Sequence, residues 1–181
     1  NLESMYDPAS KHHLKPREAD GDFFMFGFYI RNNVGIGFRT FAGGIFAGVG
    51  SLFFLIFNGV FFGGVFGHLY QVGFADTLTT FVIGHGSLEL TAITFCAAAG
   101  LRLGWSWIAP GNHTRFDSVR IGAGRALPIL YGATLMLFLA AIVEAFWSSS
   151  VLIPREVKWG VGGLGWILLC AYFVLGGRRG S

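Results

Sequence analysis

Four apolar stretches, each long enough to cross a lipid bilayer, follow one another along this chain, and the charges collect in the short segments between them. The chain opens on a polar segment, residues 1–22 (NLESMYDPASKHHLKPREADGD), with Pro8, Pro16 and charges of both signs but no amphipathic period. This predicts a linker or membrane-surface segment. Residues 23–39 interleave aromatics with Arg31, Asn32, Asn33 and Arg39, the mixture of an interfacial helix lying at headgroup level. Residues 40–181 then read as one transmembrane helical domain.

Within that domain, residues 40–67 carry no charge. As a helix they would extend roughly 42 Å, against a hydrocarbon core of about 30 Å. One straight span does not use them all, and Asn58-Gly59 interrupts the run, so a broken or re-entrant helix is expected there. Residues 78–101 form a second span that contains His85 and Glu89. Residues 125–147 form a third, with Pro128 in its first turn, where a missing N–H costs little. Residues 159–176 form the fourth. The expected fold is all-α, a polytopic α-helical membrane protein of about four transmembrane spans.

Composition strengthens this reading. Of 181 residues 53% are hydrophobic and only 13% are charged, about half the usual charged fraction of a soluble domain. The 28 glycines fit helices that pack closely through small residues, and the G-x-x-x-G spacings Gly44–Gly48, Gly59–Gly63 and Gly63–Gly67 mark helix contacts rather than a phosphate loop. A homo-oligomer in the lipid bilayer is the expected assembly. Cys96 and Cys170 both fall in apolar stretches and read as small packing residues. With no starting Met and no signal-peptide pattern, the chain reads as the C-terminal part of something longer.

The formal charge of +3 does not point to nucleic acid, because the basic residues are spread between apolar spans with no aromatic-interleaved basic patch. They report topology instead. With an internal start, Lys11, Lys15, Arg17, Arg31, Arg39, Arg102, Arg115, Arg120, Arg125, Arg178 and Arg179 are cytoplasmic, and only Arg155 and Lys158 lie outside. Eleven against two is the positive-inside bias, and it places both ends in the cytoplasm of a bacterial or archaeal inner-membrane protein.

The chemistry concentrates in a few polar residues inside the spans. An ionisable group at a helix centre costs roughly 2.5–3.5 kcal/mol on insertion scales, so it needs a partner or a task. His85 and Glu89 lie four apart and share one face of their helix. Counting residues from the outer boundary puts His85 at roughly 8 Å depth, Glu89 at roughly 14 Å and Glu144 at roughly 5 Å. Asn58 falls at a compatible depth, so Asn58, His85, Glu89 and Glu144 form one expected intramembrane cluster. The cluster can be a packing network whose members hydrogen-bond one another. It can equally be a proton or cation pathway, or a polar-ligand cavity, since desolvated carboxyls beside an imidazole titrate near neutrality. The third reading is a metal centre, with H-x-x-x-E supplying two ligands and Glu144 a third, although no H-E-x-x-H is present. The adjacent His12-His13 is a weaker metal candidate in a polar tract. Neither a G-x-S-x-G nucleophile elbow nor any cofactor motif is found, and no catalytic residue is assigned.

Several short motifs occur in a particular order: Asn32-Asn33, Asn58-Gly59 with Gly63, HGSLEL from His85 to Leu90, Ala92-Ile93, AAGL from Ala98 to Leu101, Pro110-Gly111, Arg115, and EAF from Glu144 to Phe146. In that order the sequence resembles the stage II sporulation protein M family over roughly residues 29–150. The resemblance implies a membrane component of engulfment machinery that acts with peptidoglycan-degrading partners. Its longer members carry an upstream cytoplasmic helical region and another span, and such a span would move residues 1–30 outside. The leading expectation is therefore a non-enzymatic scaffold or anchor of an envelope-remodelling complex. The alternatives are a channel or transporter using the His/Glu cluster and, behind it, an intramembrane metal-dependent enzyme.

Overall fold

The computed structural model describes residues 2–7, 9 and 19–176. His12-His13 lie outside the described residues. All regular elements among the described residues are helical: α1 (Leu2–Tyr6), α2 (Ala19–Ala42), a 3₁₀ turn at Gly43–Ile45, α3 (Val49–Gln71), α4 (Ala75–Val82), α5 (Gly86–Ile108), α6 (Arg115–Ile142), a π-helical turn at Val143–Ser148, and α7 (Arg155–Gly176).

Three of these helices are long and apolar enough to cross a membrane: Val49–Gln71, Arg115–Ser148 and Arg155–Gly176. Ala75–Val82 and Gly86–Ile108 supply a fourth as a pair bent by 72°. The protein is a polytopic α-helical membrane protein, with phenylalanines and leucines of α3 and α7 covering its outer surface.

The core is the antiparallel pair α5–α6, the most extensive helix contact in the molecule. Its buried stripe on α5 is Ala92, Cys96, Ala99 and Leu103, and on α6 Ala126, Leu130, Ala133, Leu137 and Ala140. Both follow the 3–4 residue spacing of a single helical face. Because lipid tails are as apolar as leucine, close van der Waals contact rather than dehydration holds such a pair, which favours the alanines.

Helix α2 lies in the groove of this pair. Tyr29, Asn33, Gly37 and Thr40 face inward at the same spacing and are buried. A Cβ on Gly37 would press on Leu137 and Cys96, and one on Gly44 would overlap the backbone of Gly100. The boundaries expected at residues 22/23 and 39/40 therefore fall inside one continuous helix that packs against α5 and α6 along its length.

The chain turns sharply after α2. Gly48 has φ +84°, a left-handed conformation that suits glycine, and it rests against Leu101. The Ser51 hydroxyl closes the corner by donating to the Thr40 carbonyl at 2.7 Å. The break in the 40–67 run thus sits at 43–48, and α3 runs unbroken through Asn58-Gly59, correcting the expected position. The physical reason is that Asn58 donates to its own helix's Phe54 carbonyl at 2.7 Å and does not interrupt the ladder. Gly44 and Gly48 sit in that turn, not in an α-helix, whereas Gly59, Gly63 and Gly67 face open space within the single chain.

Helix α6 also begins earlier than expected. Thr114 caps it by accepting from the Asp117 amide at 3.2 Å, while its own hydroxyl donates to the Asp117 carboxylate at 2.6 Å. Pro128 consequently lies well inside the helix and not in its first turn.

Candidate functional site

At one end of the bundle the chain breaks at residues 83–85, between α4 and α5. Gly84 permits it, since a Cβ there would collide with the Trp147 ring and the Ser148 hydroxyl. The break seats His85 at the head of α5, 2% exposed, edge-on to Phe81 with ring centroids 5.3 Å apart. One helical turn along α5, Glu89 brings Oε2 to 3.6 Å from His85 Nε2. That is an ion-pair distance and too long for a hydrogen bond.

The opposing wall is the π-helical turn. Its wider winding adds a residue to the end of α6 and leaves Glu144, Ala145 and Ser148 all buried. Ser148 Oγ lies 3.0 Å from His85 Nδ1. Glu144 Oε2 accepts from Asn33 Nδ2 at 3.0 Å, and Asn33 Oδ1 accepts from Asn32 Nδ2, also at 3.0 Å. Lys158 at the head of α7 donates to the Ser148 and Ser150 carbonyls at 2.8 and 2.9 Å, bolting the turn to the last helix. Three helices and the π turn therefore meet through side-chain hydrogen bonds.

Of the four residues expected to cluster, the structure brings three together: one ligand atom each of His85, Glu89 and Glu144 lie within 4.8 Å of one another. Asn58 is not among them. It is half-buried on α3 and occupied with Phe54.

Three participants were not anticipated. Ser148 had a signal, since it follows Glu144 by four positions. Asn33 had one in its spacing from Tyr29 and Gly37, masked by the polar residues around it. Tyr6 had none. It stands edge-on to Phe81 at 6.3 Å between ring centroids, and burial, followed by the nearby Glu144 charge, raises its phenol above the ordinary tyrosine value. Alongside it Glu3 pairs with His68 at the end of α3, 3.0 Å apart, so α1 is tied to the end of the bundle that holds the cluster.

Such an arrangement can do three things chemically. It can fix helices through satisfied polar contacts, take up or release a proton at a carboxyl or imidazole, or draw three ligand atoms in around a cation. Among the described residues no buried side-chain polar atom lacks a hydrogen-bond partner.

The profile of the family described as stage II sporulation protein M matches residues 2–149. The chain belongs to the stage II sporulation protein M family. No curated protein and no solved structure shows significant similarity to it. The matched stretch takes in α1 to α6 and the π turn, and with them every member of the His85–Glu89–Glu144 centre and its partners Asn33 and Ser148. Helix α7, which supplies Lys158, lies beyond the match.

Proposed function

We propose that this member of the stage II sporulation protein M family is a non-enzymatic component of the cell membrane. It anchors or organises protein partners in envelope or peptidoglycan remodelling, and works as a homo-oligomer. The observation that carries the reading is the closure of the polar centre upon itself. His85 is held by Ser148, Glu144 by Asn33, and the π turn by Lys158. Groups used in this way fix one arrangement of α2, α5, α6 and α7, as a scaffold needs. Family membership supports the envelope setting.

In this reading α2 is a fifth span. Its 24 residues extend about 36 Å, enough for the hydrocarbon core. Arg39, Arg102, Arg115, Arg120 and Arg125 then gather at the end away from the cluster, and the described basic residues in the half that holds the cluster are Arg31, Arg155 and Lys158. The positive-inside rule makes the arginine-rich end cytoplasmic, the cluster end external, and α1 external with it, in place of the cytoplasmic start expected from the loop count.

The test is complementation. In cells that depend on this protein for normal envelope morphology, Glu89→Gln keeps the size and polarity of the side chain and leaves the Ser148 and Asn33 hydrogen bonds untouched, so a scaffold is expected to complement fully. Loss of complementation by a Glu89→Gln protein that reaches wild-type abundance in the membrane would refute the reading and favour a titrating pathway, whose signature is pH-dependent flux in proteoliposomes.

The convergence of His85, Glu89 and Glu144 favours one second reading, a bound divalent cation. Zinc bonds of about 2.0–2.1 Å place tetrahedral ligands about 3.3 Å apart, so the three atoms would have to draw in from their present 4.8 Å limit. Metal analysis of purified protein decides it: stoichiometric metal that disappears in both Glu89→Gln and His85→Ala establishes a ligand set, and its absence from wild-type protein after zinc loading removes it.

A further inference from the structure

At the opposite end of the bundle, α5 and α6 are joined by a short loop whose turn is made by Gly111 at φ +61°. Between the two helices and this loop lies a cleft of about 360 Å³. Arg102 and Arg125 line it from either side, with His113, Ser106, Ser118 and Trp105 completing the polar and aromatic wall. The helices meet closely at its base, where Gly122 backs directly onto Ser106.

The charge there is unbalanced. From Arg102 to Arg125 the sequence holds four arginines and one acid, Asp117. That acid is occupied by the Thr114 hydroxyl. The ion pairs among the described residues are His68–Glu3, His85–Glu89 and Arg155–Asp76, so none of the four arginines is neutralised by a carboxylate there. Arg115 instead stacks over Trp107 at 5.8 Å. The cleft therefore presents two guanidinium forks, the Ser118 hydroxyl and an imidazole, donors suited to phosphate oxygens, while the Ser106 hydroxyl donates to the Arg102 carbonyl at 3.1 Å.

Position along the helices says where that phosphate comes from. Toward the other end of the bundle, the next charged residue after Arg102 on α5 is Glu89, and α6 carries none between Arg125 and Ile142. The two arginines thus mark the edge of the apolar region. Trp105, Trp107, Ile108 and Phe116 are exposed around them, the belt of aromatic side chains found at headgroup depth. A phosphate seated between Arg102 and Arg125 has apolar surface on the bilayer side for acyl chains.

We infer that the cleft between α5 and α6 binds the phosphate headgroup of an anionic phospholipid. Basic clefts between helices on the cytoplasmic side suit this class of ligand, since the inner leaflet carries the negative lipids.

The probe is phosphatidylglycerol against zwitterionic phosphatidylcholine, added to the purified full chain and read by native mass spectrometry and by the shift in melting temperature. Wild type is expected to retain phosphatidylglycerol preferentially. Arg102→Gln with Arg125→Gln should lower that preference about thirtyfold, on the usual contribution of two basic residues at an anionic surface. Arg120→Gln, which removes a single charge outside the cleft, should leave it within about threefold. If the double Gln variant does not fold, Arg102→Lys with Arg125→Lys carries the test, because losing the planar fork should still weaken retention severalfold. Undiminished retention in whichever double variant is measured, or an equal loss in Arg120→Gln, overturns the site. Equal stabilisation by inorganic phosphate or glycerol phosphate overturns the assignment to a lipid.

Discussion

Replacing Asn33 by Leu tests the polar centre where it joins α2 to the rest of the bundle. Asn33 is 1% exposed and donates at 3.0 Å to Glu144, which is 8% exposed, so the bond is shielded from both water and lipid. Interhelical hydrogen bonds in membranes average about 0.6 kcal/mol and reach about 1.7. A bond of ordinary length to a well-buried carboxyl belongs in the upper half of that range. Removing one partner also strands the other, adding the cost of an unsatisfied buried group, so Asn33→Leu alone is expected to cost about 1–3 kcal/mol. In a Glu144→Leu background the stranded group is gone and only packing terms remain. The double-mutant cycle should therefore give a coupling of about 1–1.5 kcal/mol. The measurement is equilibrium unfolding in mixed micelles of increasing SDS content, followed by tryptophan fluorescence. Phe38→Leu is the control on the same helix: its side chain is exposed, and the effect should stay within about 1 kcal/mol. A coupling below about 0.3 kcal/mol would refute the reasoning, because it would mean that α2 does not dock through this contact.

Three further outcomes are expected. A cysteine at Asn112, in the exposed α5–α6 loop, should react with an impermeant thiol reagent only from the cytoplasmic side, and one at exposed Leu152 only from outside; the reverse labelling would invert the topology. Gly44→Leu should destabilise the isolated chain by about 3 kcal/mol or more, because its Cβ meets the backbone of Gly100, whereas Gly63→Leu should spare the monomer and weaken only assembly, as read by detergent unfolding and by cross-linking. Tyr6 sits beside Glu144 with its phenol raised above the ordinary value near 10, so its neutral form is the one that fits the fold. Its contribution is present in full below pH 10 and is lost as pH rises through the higher folded value, and Tyr6→Phe should abolish that alkaline dependence of α1 docking in hydrogen exchange.

The sequence by itself determined the solvent and the class of fold. Long uncharged stretches have few places to go but a bilayer, and backbone groups without water must satisfy one another in helices. It also brought His85 and Glu89 together, because four positions make about one helical turn, and depth alone brought Glu144 within reach of them; the bend at 83–85, which splits the span expected over 78–101 and sets His85 at the head of α5, was not legible there. Tertiary structure decided what local pattern could not express. Hydropathy scores each residue against lipid, so α2, with Arg31, Asn32, Asn33 and Arg39, looked interfacial, although Tyr29, Asn33, Gly37 and Thr40 have a groove of α5 and α6 to fill. Asn58-Gly59 looked like a break, yet a back-bond to Phe54 keeps α3 whole, while the true corner at Gly43–Gly48 depends on contacts with Gly100, Leu101 and Gly104 from a distant helix. The closing partners of the centre, Asn33 for Glu144 and Ser148 for His85, are 111 and 63 positions away in sequence. A hydrogen bond at that separation is fixed by how the helices pack and by the extra residue of a π turn, and neither leaves a period in the chain for a reader to find.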